Sequence, residues 1–179
     1  NAEKINNIPA EITRLPQPLS EAIIYFESLV RVSDLIVAHN AEFDKKWFGL
    51  NKLPRIEKPW ICSMDDMTWP ADRQLKTRPS VRDLALAYGV PVWNAHRALT
   101  DCIYLAEVFK RCSDFEKLLL RGLEPKILVC AEISYEERHL AKNSGFRWND
   151  AIKGAWSRKM SRRDIEKLEF PVHEVESQS

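Results

Sequence analysis

The chain has 179 residues, 45% hydrophobic and 30% charged, with a formal charge of +1. This balance excludes a largely disordered chain and suits one ordinary domain with a small second unit. Its apolar runs, such as Leu35-Ile36-Val37-Ala38, fall far short of the roughly 20 residues a membrane helix needs, so neither a spanning segment nor a membrane partner is expected.

Asn1 to Pro18 is polar and carries Pro9, Pro16 and Pro18, which predicts turns and irregular pieces. No basic, then apolar, then small-residue pattern opens it, and the expected location is the cytoplasm. Leu19, Ala22, Ile23, Phe26, Leu29 and Val30 then form the stripe of an amphipathic helix whose apolar face needs a sheet. Leu35 to Ala38 has the unbroken apolar character of a buried strand and gives way abruptly to His39-Asn40. Phe43 to Leu50 starts the next helix, and Trp60 to Met64 suits a short strand.

A charged, proline-rich loop, Thr68 to Pro79, follows. After Ser80, a helix marked by Val81, Leu84, Ala85 and Tyr88 closes at Gly89; a longer one carries Ala98, Cys102, Leu105, Ala106 and Phe109. Helices alternating with buried strands predict an α/β fold over residues 1–120.

From about Glu124 the pattern changes to that of a small α+β module, residues 124–179. Ile127 to Ile133 reads as a strand, and Ser134 with Glu137 forms a capping box for a helix ending near Asn143. Phe146 to Trp148 and Ala155 to Arg158 read as strands, Ser161 to Leu168 as a helix, and Pro171 to Val175 as a last strand. The four cysteines (Cys62, Cys102, Cys112, Cys130) show neither C-x-x-C nor zinc spacing and are expected as reduced, mostly buried thiols.

Chemistry gathers at two segments. Asp44 lies one turn into the helix after a buried strand, and ligands of open α/β sheets collect at such strand ends, beside His39 and Asn40. An aspartate there also serves simply to favour a helix N-terminus. His96 and Asp101 are five residues apart, roughly 140° around a helix at about 100° per residue, so they share a site only if His96 sits in the lead-in loop.

Together, His39-Asn40-Ala41-Glu42-Phe43-Asp44 and His96-Arg97-Ala98-Leu99-Thr100-Asp101 resemble the second and third motifs of the DnaQ-like 3′–5′ exonucleases of the DEDDh type. Trp60-Ile61-Cys62-Ser63-Met64 between them is similar to the intervening strand of exodeoxyribonuclease X-like members. The resemblance covers about residues 1–112. It implies a ribonuclease H-like fold, a mixed sheet flanked by helices, and a two-metal site for Mg²⁺ or Mn²⁺. Asp44 and Asp101 would be its carboxylates and His96 the general base, releasing nucleoside 5′-monophosphates from DNA 3′ ends. A role in repair or DNA turnover follows from the family alone. Oxygen ligands suit these hard ions, and histidine suits proton removal from water.

The family's first motif, an aspartate and a glutamate two apart on an opening strand, has no counterpart here. Asp65-Asp66 comes in the wrong order, and Glu3 and Glu11 lie in loop-like surroundings. The strands bearing that motif are therefore expected to lie outside this sequence. The alternatives are a binding-only relative that keeps the fold without hydrolysis, or an enzyme that trims RNA 3′ ends.

Between Arg138 and Lys167 stand nine Lys or Arg against three acids, interleaved with Phe146, Trp148 and Trp156. Cations that follow phosphates and aromatics that stack bases suit single-stranded DNA held without sequence preference, with Arg147, Trp148, Arg158 and Lys159 as candidate contacts. The aromatics are equally able to form the module's core.

Overall fold

In the computed structural model, which describes residues 3–93 and 96–175, the three early prolines divide the start of the chain into single turns of helix, α1 (Glu3–Asn6) and α2 (Ala10–Arg14). Leu15, ahead of Pro16, is extended, the conformation a following proline imposes, and so α2 stops there. The segment expected to be irregular is thus short helices separated by prolines. The chain then divides into two compact units, Asn1–Leu75 with Pro79–Leu123, and Lys76–Arg78 with Glu124–Ser179. Both mix helices with strands, which places the chain in the α/β class.

In the first unit, α3 (Leu19–Val32) forms as its periodicity predicts, yet none of its residues is buried, and Ile24 is 67% exposed. Ile23, Phe26 and Val30 are the half-buried positions along α3. Among the described residues the unit's sheet has only two three-residue strands, β1 (Ile36–Ala38) and β2 (Trp60–Cys62), too little surface to cover fourteen residues of helix. Phe26 makes a stacked contact with Phe48, centroids 5.4 Å apart. The two strands run parallel with Ile36 opposite Trp60 and Ala38 opposite Cys62.

The helix expected from Phe43 to Leu50 is α4 (Ala41–Lys45), ending in turns. Then come α5 (Val81–Ala87), opened by a reciprocal Ser80–Asp83 capping box, α6 (Ala98–Arg111) and α7 (Phe115–Gly122). Leu84, Tyr88, Tyr104, Val108 and Leu118 form their common core. At Gly122 a Cβ would meet Ile61 Cγ2 at 2.9 Å, so the glycine lets α7 close onto β2.

In the second unit, β3 (Lys126–Ala131), β4 (Arg147–Trp148), β5 (Trp156–Ser161) and β6 (Val172–Glu174) form an antiparallel sheet in the order β4-β5-β3-β6. The helices α8 (Arg138–Asn143) and α9 (Arg162–Ile165) complete it. The Ser134–Glu137 box is present in full, one turn ahead of α8. Val129, Ala141, Phe146, Met160 and Phe170 are the core, with Trp156 packed at its edge. No helix of the described residues is long and apolar enough to cross a membrane.

Candidate functional site

The β1–α4 turn is fastened to the end of β2. Ser63, fully buried, donates its N–H to the Ala38 carbonyl at 2.9 Å, and its hydroxyl lies 3.0 Å from His39 Nδ1. Ala41 N–H donates to Cys62 Sγ at 3.4 Å. Asn40 completes the turn in the left-handed region, φ 66°, which asparagine tolerates better than most residues. His39 and Asn40 therefore set the angle at which α4 leaves the sheet.

One turn on, Asp44 is half-buried, and among the described residues its side chain makes no hydrogen bond or ion pair. Burial alone pushes its carboxyl above the usual carboxylate range. Phe43 and Trp47 are half-exposed and meet each other edge to face, with the Lys46 ammonium 4.4 Å from the Phe43 ring. The brevity of α4 leaves them on its outer side.

Asp101 stands in the first turn of α6, and its Oδ1 accepts the His96 N–H at 3.3 Å. His96 is exposed in a lead-in turn with φ 69°, so the two residues come from a turn and a helix, as their spacing requires. Asn94 and Ala95, which precede them, lie outside the described residues. Arg97 donates from Nε and Nη2 to the carbonyls of Asn6 and Asn7 at 3.2 and 3.1 Å, holding the N-terminal segment against this turn.

Asp44 and Asp101 share a neighbour. The thiol of Cys102 is raised by desolvation first, then by the charge of Asp101, then by that of Asp44. Carboxylates on α4 and α6, 57 residues apart in sequence, thus both contribute to raising this thiol. Mg²⁺ is bound through one or two carboxylates with water and substrate oxygens completing its shell, the donor chemistry that Asp44 and Asp101 offer. A two-metal arrangement needs more donors: among the described residues no group of three or more His, Cys, Asp or Glu side chains is gathered for a metal. Asp65 and Asp66 do not join the pair; Asp66 accepts the Cys62 N–H at 2.6 Å and braces the end of β2.

In the second unit Trp148 is 53% exposed, 5.9 Å from the Trp156 ring at an angle of 57°. Phe146 is buried in the core, so of the three interleaved aromatics it packs rather than offers a face. Arg147 is paired with Asp150 at 2.6 Å, Arg158 donates to the Ser144 carbonyl, and Lys159 is exposed.

Residues 127–175 match a domain of unknown function, DUF8626. No curated protein and no solved structure matches the chain. The DUF8626 region contains nearly all of the second unit's sheet and both its helices. Its cations fall into two groups. Arg162 pairs with Glu174 at 2.8 Å, Arg163 with Glu124 at 3.2 Å and Lys167 with Asp164 at 3.0 Å. By contrast, Lys142, Lys153 and Lys159 have no ion pair or hydrogen bond among the described residues, and Arg138 has no carboxylate partner. Sequence reading placed Arg138 and Lys142 in the basic tract but not in a site. Their i, i+4 spacing on one helix face was the available signal.

Proposed function

We propose that the first unit carries part of a metal-dependent 3′–5′ exonuclease site acting on single-stranded DNA ends, built on a ribonuclease H-like framework. The observation that supports it best is the hydrogen bond from the His96 N–H to Asp101 Oδ1 at 3.3 Å, which brings the expected base and the expected metal-site carboxylate of one motif together. Asp44 and Asp101 would hold a divalent ion, which when bound supplies charge neutralisation at the phosphoryl group. His96, next to Asp101 on the lead-in turn, takes the proton from the attacking water. Desolvation of Asp44 without a cationic partner suits a carboxylate whose counter-charge comes from outside the chain. The products would be nucleoside 5′-monophosphates.

The test uses the full chain with 3′-labelled single-stranded DNA and Mg²⁺ or Mn²⁺, an EDTA control, Asp101→Asn, and Mn²⁺ titration followed by electron paramagnetic resonance. The reading expects metal-dependent release of mononucleotides, lost in Asp101→Asn, and Mn²⁺ binding lost in both Asp44→Asn and Asp101→Asn. Mn²⁺ binding that is absent, or indifferent to both substitutions, refutes it. DNA binding without release supports a second reading, a nucleic-acid-binding relative without hydrolysis, which the lack of a third gathered donor among the described residues favours. Release from RNA in preference to DNA would move the substrate to RNA 3′ ends, since the 2′-hydroxyl is what separates the two.

A further inference from the structure

The second unit contains an open cavity of about 380 Å³ lined by Glu136, Arg138, His139, Lys142 and Trp156. This lies within the size range of small-ligand pockets. Three of its five lining residues are nitrogen donors from α8. Arg138 and Lys142 stand one turn apart, and His139 stands three residues before Lys142.

The donors are held in place without being neutralised. The Arg138 guanidinium lies 3.9 Å from the centre of the Tyr135 ring and donates to the Tyr135 carbonyl at 2.6 Å. His139 Nδ1 is 3.1 Å from the Glu136 carbonyl and so carries the proton there, which leaves Nε2 of the neutral ring as an acceptor. Lys142 has no partner among the described residues. Elsewhere in the unit, Arg147, Arg162, Arg163 and Lys167 are matched to carboxylates at 2.6 to 3.2 Å. Cations left unmatched around a concave surface are suited to an external anion.

The remaining wall adds the other half of a ligand's chemistry. Trp156 is anchored by the core on one side and lines the cavity, so its indole is a fixed face rather than a swinging one. Trp148, paired with it across β4 and β5, continues the aromatic surface and is half-exposed. A phosphate alone would need only the cations, and an apolar ligand only the indoles. A nucleotide uses both. A second indole beside the first makes room for a second base, which favours a strand over a free mononucleotide. Glu136, the single acid on the wall, opposes a bare polyphosphate and accepts from a base amino group.

We propose that this pocket seats one nucleotide of a single-stranded nucleic acid, its base against Trp156, its phosphate on Arg138 and Lys142, and the adjacent base on Trp148. This deepens the nucleic-acid part of the reading above and is independent of hydrolysis, so it is tested in EDTA. The full chain is titrated into fluorescein-labelled oligothymidylate and followed by anisotropy over a series of salt concentrations.

Removing one phosphate contact from a single strand lowers the slope of log K against log salt by about 0.7, the expected result for Lys142→Glu and for Arg138→Glu. Trp148→Ala should weaken binding about thirtyfold, the middle of the range for losing one stacked base. Trp156→Phe, which keeps an aromatic ring against the core, should weaken it less. Lys153→Glu removes an equally unmatched cation outside the pocket and should change affinity least.

Unchanged affinity and slope in Lys142→Glu and Arg138→Glu overturn the proposal, and so does an equal effect from Lys153→Glu, which would show only general attraction. Competition by thymidine 5′-monophosphate as strong as that by the oligomer overturns the assignment to a strand. Oligomer binding that is intact and pocket-dependent, without metal-dependent release, counts against hydrolysis and leaves this site standing.

Discussion

Gly145→Ala is expected to be the most costly single-methyl change in the second unit. Gly145 closes α8 with φ 79°: its N–H donates to the Lys142 carbonyl at 3.1 Å, and the Phe146 N–H donates to the Ala141 carbonyl at 2.9 Å, the paired bonds of a Schellman turn. An L residue in this left-handed conformation costs about 1–2 kcal/mol. The added Cβ would also lie 2.9 Å from Thr77 Cγ2 and 3.0 Å from Arg158 Nη1. Arg158 donates to the Ser144 carbonyl, and a guanidinium displaced from such a bond forfeits about 1.5–3 kcal/mol. Taken at the middle of both ranges, the combined loss is about 3–4 kcal/mol if Thr77 gives way cheaply.

Gly154 supplies the comparison, with φ 75° and nothing within 4 Å of an added Cβ, so Gly154→Ala carries only the backbone cost. In urea, with a slope of about 2 kcal/mol per M, the midpoint should fall by about 1.5–2 M for Gly145→Ala and about 0.5–1 M for Gly154→Ala. Far-ultraviolet circular dichroism and tryptophan fluorescence would follow the transition. Equal shifts, or a gap that persists when both changes are made in an Arg158→Ala background, would refute the role given to Arg158.

Two further outcomes concern titration. Asp44→Asn should stabilise the fold near neutral pH while removing Mn²⁺ binding. Because burial raises the folded-state carboxyl, the native protein keeps a proton that the unfolded chain releases near pH ~3.9, so wild-type stability falls as pH rises through that interval and the advantage of asparagine vanishes below it. Thermal melts from acid to neutral pH check both the sign and the window. Glu137 has the opposite sign: hydrogen bonds from the Ser134 N–H and hydroxyl lower its carboxyl, so its contribution is present above the unfolded value near pH ~4.3 and is lost as pH falls through the folded one. Glu137→Gln should flatten that part of the stability profile, seen in the same melts.

Local chemistry made much of this fold legible. The β1–α4 switch showed because an unbroken apolar run met His39-Asn40, and the Ser80 and Ser134 caps showed because each is followed three residues later by an acid that bonds back. The helix expected from Phe43 to Leu50 is shorter because apolar character says nothing about helix length, and α4 gives way to turns after Lys45. The α3 stripe was correctly periodic, yet periodicity shows that a face is apolar and not that a partner is beside it. In the second unit, charge counting could not distinguish Arg162, matched to Glu174 across twelve residues, from Lys142, matched to nothing among the described residues. That difference is set by tertiary placement, and so the pocket on α8 emerged only from the structure.

The two candidate sites fit a common electrostatic logic. The sequence has 27 Lys and Arg, ample to give Asp44 an internal counter-ion, yet burial is the only influence resolved on its carboxyl. The same sequence has 26 Asp and Glu, ample to neutralise α8, and uses them on Arg147, Arg162, Arg163 and Lys167 instead. An unmatched carboxylate costs stability in proportion to its desolvation, and unmatched cations on one helix face repel one another. Such costs persist where an external charge offsets them, which under the readings proposed above would be a cation for the first unit and an anion for the second. A phosphodiester strand with a divalent ion is a substrate class that brings both charges, and this joins the exonuclease reading of Asp44 and Asp101 to the strand-binding reading of Lys142 and Trp156 while leaving each open to separate refutation.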